Sequence, residues 1–156
     1  MKSSVLAVLM LFMVLGFGIN AFAAPSTQVV NARLQQLIPA GQPAIMAMGI
    51  SAGGKDCEIG IGPDAKGNVG VMISVRSMMG TKHFSFDVAR NRTLTAASDK
   101  GNQIIIQSMN NEGLSETLVL GLSVGKNGRT LRSAELVGDV SGMFGTKTKS
   151  LISCSL

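Results

Sequence analysis

The chain has 156 residues, of which 46% are hydrophobic and 15% charged, with a formal net charge of +5. That apolar content excludes a disordered polymer, and the length suits one compact domain. Six Phe with no Trp or Tyr leave little for base or sugar stacking, so nucleic acid is not an expected partner.

Residues 1–23 read as a signal peptide. Lys2 supplies the positive start, residues 5–15 are continuously apolar, and Ala21-Phe22-Ala23 gives the small-x-small cleavage pattern. An apolar stretch of about 15 residues is too short for a membrane span, which needs about 20. The expected location is therefore periplasmic or secreted, without membrane association after cleavage. Phe12, Phe17 and Phe22 leave with the leader, so Phe84, Phe86 and Phe144 remain. In an oxidising compartment Cys57 and Cys154 are expected to form one disulfide. It would close a loop of about 98 residues, stabilising the fold by roughly 4–5 kcal/mol on the chain-entropy model.

Residues 24–43 predict a short helix and a linker. Ser26 or Thr27 can cap the helix, Val30, Leu34, Leu37 and Ile38 share one face, and Pro39 stops it. From residue 44 to 156 the apolar period becomes two. Cys57, Ile59 and Ile61 alternate with polar or small residues, as do Val69–Val75, Phe84–Val88 and Leu118–Val124. Weaker segments occupy 44–51, 93–98, 103–109, 129–140 and 146–156. Turns fall at 63–68, 99–102 and 126–128, each holding a Gly or Asn suited to positive φ. The spacing leaves no room for helical crossovers, so the domain reads as all-β, an antiparallel meander of eight or nine strands. A bridge from an early strand to the last is expected to join the two ends of the sheet, closing a small barrel or sandwich.

Chemistry-bearing patterns are sparse. His83, Ser85 and Asp87 alternate on one strand, where neighbours two apart lie ~6.5–7 Å from each other along the chain; a catalytic triad needs contacts of ~2.6–3.2 Å. One His and two distant Cys do not make a zinc site. The turns at Asp64 and Asp99 lack the alternating carboxylates and the closing Glu of a calcium loop, so Asp serves the turn. Gly53-Gly54-Lys55 has no phosphate-loop context and reads as a hairpin turn. No enzyme activity, metal or cofactor is expected.

Arg129 and Arg132 on the penultimate strand, with Lys147 and Lys149 on the last, form a candidate basic patch for an anionic envelope component or an acidic protein. The same lysines could instead guard an edge strand. Asn91-Arg92-Thr93 is a glycosylation sequon, relevant only in a eukaryotic secretory pathway. The seven methionines from Met46 to Met143 are expected to fill gaps in an aromatic-poor core. Phe144, in a glycine-rich turn, is the one aromatic placed for recognition. The leading expectation is an exported, disulfide-bonded, non-enzymatic β-domain binding a protein or an anionic envelope component. Alternatives are a lipocalin-like carrier of a small apolar ligand and an eight-stranded outer-membrane barrel. The absence of Trp and Tyr speaks against the latter. A hydrolase using His83 is the weakest reading.

Overall fold

The computed structural model describes residues 25–89, 92–143 and 145–156. The leader, Arg90, Asn91 of the sequon and Phe144 lie outside them. The chain is an all-β antiparallel meander with one short helix: α1 (Thr27–Gln35), β1 (Ile45–Ile50), β2 (Asp56–Pro63), β3 (Val69–Ser77), β4 (Gly80–Asp87), β5 (Arg92–Asp99), β6 (Gln103–Asn110), β7 (Ser115–Gly125), β8 (Gly128–Gly142) and β9 (Gly145–Ser155).

Ser26 caps α1, its side chain accepting from the Val29 amide. Capping satisfies one of the amide donors that a helix start leaves open. Val30 and Leu34 are fully buried, and Leu37 and Ile38 continue the apolar contact beyond the last helical turn. The three turns expected at 63–68, 99–102 and 126–128 place Gly67, Gly101 and Gly128 at positive φ. Asp64 accepts from the Lys66 and Asn68 amides, and Asp99 from that of Gly101, so both carboxylates hold their turns.

The nine strands form one sheet in the order β4-β3-β2-β1-β9-β8-β7-β6-β5, curled as a half-barrel. Its concave face carries a single aliphatic core: Ile59, Ile61, Ile73, Ile104, Ile106, Leu118, Leu120 and Leu136 are all essentially inaccessible. The sheet edges are β4 and β5, which approach where the Arg92 guanidinium lies 4.7 Å from the centre of the Phe86 ring.

The Cys57–Cys154 disulfide is present, with its Cα atoms 5.7 Å apart. Its place in the sheet corrects one expectation. It does not join the two sheet ends, because β1 pairs with β9 and so puts the first and last strands in the middle of the order. β1 and β9 meet at one residue pair only, Ile50 opposite Ser155, and the disulfide ties β2 to β9 across this narrow seam.

Gly49 makes the seam possible. A Cβ there would lie 2.0 Å from the Ser155 carbonyl oxygen, a backbone atom that cannot rotate away. Gly49→Ala is expected to cost about 1–3 kcal/mol by overpacking. Because Gly49 pairs with Cys57, the variant should also be reduced faster by dithiothreitol. Equilibrium unfolding and timed thiol titration measure the two effects.

Candidate functional site

The half-barrel has a covered end and an open one. At the covered end the Asn31 side chain accepts from the Val69 amide, fixing α1 to the start of β3. The segment following α1 shares a groove with the β7–β8 turn. The far ends of β3 and β8 therefore mark the open mouth.

Three lysines stand on the concave face at that mouth. Residues directly opposite in an antiparallel ladder project to the same side. Lys82 is opposite Val75, which packs against the core. Lys149 is opposite the buried Gly138, and Lys147 opposite Val140, two residues further along the same face. Between β9 and the β3–β4 pair runs a cleft of roughly 470 Å³, lined by Lys55, Val75, Lys82 and residues 150–153, with no carboxylate among the described residues of its walls. Lys147 and Lys149 continue along β9 from the cleft's Ser150.

Beyond the cleft, β8 and β9 form an arm. The β7–β8 ladder stops at Glu116 opposite Gly138, whereas the β8–β9 ladder continues to Gly142 opposite Gly145. Four residue pairs thus project past β7, about 13 Å of ribbon. Residues 145–150 are exposed throughout.

Only half of the basic patch expected from sequence is at this mouth. Arg129 and Arg132 lie toward the opposite end of β8, at least six residues from Gly138, or about 20 Å of strand. Arg129 is also engaged: its guanidinium donates to both Asp99 oxygens, at 2.6 and 2.7 Å. Arg132 is the extra residue of a β-bulge, since Gly121 faces Ser133 while Leu122 faces Leu131. Lys55 and Lys82 were not part of the expected patch. Lys55 carried a signal only as a turn residue, and Lys82 joins the site through a cross-strand neighbour.

The Arg129 hydrogen bond, with that from the Gly101 amide, holds the Asp99 carboxyl below its ordinary value of 3.8. A carboxyl with a depressed folded-state pKa contributes stability above the ordinary value and loses it as pH falls through the lowered one. The stability difference between wild type and Asp99→Asn is therefore expected to be constant near neutrality and to close below pH 3.8. Urea unfolding at a series of pH values measures it; a difference that grows on acidification would contradict the assignment. Both side chains are partly exposed, which keeps the effect small.

The outer face holds a second polar arrangement. Met48, Glu58, Ser74 and His83 form one row across β1 to β4. The Ser74 hydroxyl is hydrogen bonded to His83 Nδ1 at 2.8 Å, so His83 meets a serine on the neighbouring strand, while Ser85 stands opposite Met72. The order is Glu–Ser–His. A Ser–His–acid relay needs the imidazole between the other two, where the acid orients it; here the serine is in the middle.

The methionines overturn their sequence reading. Among the described residues no Met is in the buried core, and Met46, Met48, Met78, Met79, Met109 and Met143 are exposed. Branched aliphatic side chains fill the concave face instead, and the methionines stand on outward strand positions or hairpin tips. The interior is packed with those side chains. Outward positions mix polar side chains such as Glu58, His83, Gln107 and Glu135 with exposed apolar ones such as Met46, Met48, Ile50 and Met109. No helix among the described residues is long and apolar enough to cross a membrane, and those residues contain no cluster of His, Cys, Asp and Glu able to hold a metal.

Comparison with known proteins adds no family: no family model, curated protein or solved structure matches the chain.

Proposed function

We propose that the protein is an exported, non-enzymatic binding domain that takes an anionic partner at the open mouth of its half-barrel. The observation that carries this reading is the group Lys55, Lys82, Lys147 and Lys149 in and beside a cleft with no carboxylate among the described residues of its walls. Low-dielectric walls focus the field of such a group and draw an oppositely charged partner into it. The disulfide and the signal-peptide pattern support export, since such bonds persist in oxidising compartments. The packed interior favours surface recognition over enclosure of a ligand.

The test is binding of poly-glutamate or dextran sulfate to the mature chain, followed by calorimetry as salt is raised. Affinity is expected to fall with salt, and Lys82→Glu with Lys149→Glu to weaken it by about tenfold or more, at least 1.4 kcal/mol. Arg132→Glu, at the exposed bulge on the other end of β8, should leave it unchanged. If Arg132→Glu abolished binding while the double lysine variant did not, the mouth would not be the site.

A further inference from the structure

Resting on that reading of the mouth, we propose that the anionic partner is an extended acidic peptide that adds to β9 as a further strand. One edge of β9 is satisfied by β8 from Gly145 to Ser155. On its other edge, among the described residues, only Ser155 has a strand partner. Residues 145–150 are exposed, and the edge they present runs into the cleft. Six residues of strand span about 20 Å, enough to template a short added strand through backbone hydrogen bonds.

The side chains select what can be added. Lys147 and Lys149 alternate on one face, so every second residue of an added strand stands beside a lysine, and carboxylates there form favourable cross-strand pairs. Lys55 and Lys82 extend the positive wall where the edge enters the cleft. The opposite face of β9 presents Thr146, Thr148 and Ser150, uncharged side chains, with Thr148 donating to the Asp139 carboxylate on β8. The pattern that fits is acidic and uncharged residues in alternation. A second copy of β9 is disfavoured because it would set lysine against lysine. Edge protection alone accounts for Lys147 and Lys149, but not for Lys55 and Lys82 on the far wall of the cleft.

The experiment titrates the mature, oxidised protein with a fluorescein-labelled peptide of about eight residues alternating Glu and Thr, reading anisotropy and amide hydrogen exchange. Saturable binding is expected, with new protection confined to amides of residues 145–150. N-methylation of alternate peptide amides should abolish both effects without changing charge, and Lys147→Glu with Lys149→Glu should weaken binding by about tenfold. Binding indifferent to N-methylation, or protection outside β9, overturns strand addition while leaving the anionic mouth in place. Binding of phosphatidylglycerol vesicles but not of the peptide overturns it in favour of a lipid surface. Failure of the peptide and of poly-glutamate together removes both proposals.

Discussion

Removing the Cys57–Cys154 bridge is expected to cost about 4–5 kcal/mol of folding stability, a large share of the ~5–15 kcal/mol typical of a domain. The two cysteines are 97 positions apart, so in the unfolded chain the bridge restricts a long loop, and the entropy it removes grows with loop length. The native sheet has little to substitute for it locally. β1 and β9 share one residue pair, whereas each neighbouring ladder has six or more. With an unfolding slope of about 2 kcal/mol per molar urea, the midpoint should fall by about 2 M on reduction or in the Cys57→Ala/Cys154→Ala variant. Agreement between the reduced and alanine forms would separate the bridge's effect from damage by either substitution. An unchanged midpoint would mean that the unfolded chain is already compact across this loop, and the entropic account would fail.

Phe86→Ala carries the second large expected effect, about 3–5 kcal/mol. Phe86 is the largest fully buried side chain and sits on edge strand β4 opposite Val71. Truncation leaves a cavity where the two sheet edges converge, and it removes the ring under Arg92. Arg92 is held by an ion pair with Glu116 at 2.8 Å, which resists its collapse into the space. Phe86→Leu should retain most of the stability, because it keeps apolar volume. The cation–π part is measured by a double-mutant cycle with Arg92→Ala, for which a coupling of about 0.5–2 kcal/mol is expected. A Phe86→Ala variant within about 1 kcal/mol of wild type would show that the meeting of β4 and β5 is not a structural joint.

The strands most legible in the sequence were those with unbroken alternation. Residues 57–61, 69–75 and 118–124 read clearly because their inward positions are aliphatic. Three of the weaker segments have a physical cause in common: β5, β8 and β9 each contain a register shift. In β8 the inward positions pass from Leu131 to Ala134 and Leu136, so the bulge at Arg132 breaks a strict period of two. In β9 the extra residue is Leu151, since Leu136 faces Ile152 while Val137 faces Ser150. What the sequence withheld was long-range register. The adjacency of β1 and β9, the contact of Ser74 with His83 and the engagement of Arg129 by Asp99 all depend on which residues stand opposite one another. Strand-to-strand packing decides that, and no local pattern encodes it. The basic site was half legible for this reason: Lys147 and Lys149 are visible as an alternating pair, but Lys55 and Lys82 join them only once the sheet has curled.

The strand order also sets the route by which the chain reaches this fold. Among the described residues, every ladder but one joins strands that are neighbours in sequence. Strands β1–β4 and β5–β9 can therefore assemble as two local meanders, each through short hairpin closures that are fast and entropically mild. The remaining ladder, β1 with β9, brings distant parts of the chain together for a single residue pair, so nothing rewards it until both meanders exist and their apolar faces have met. Docking of the two halves is therefore the step expected to come late and slowly in folding, which stopped-flow refolding of the reduced chain would measure.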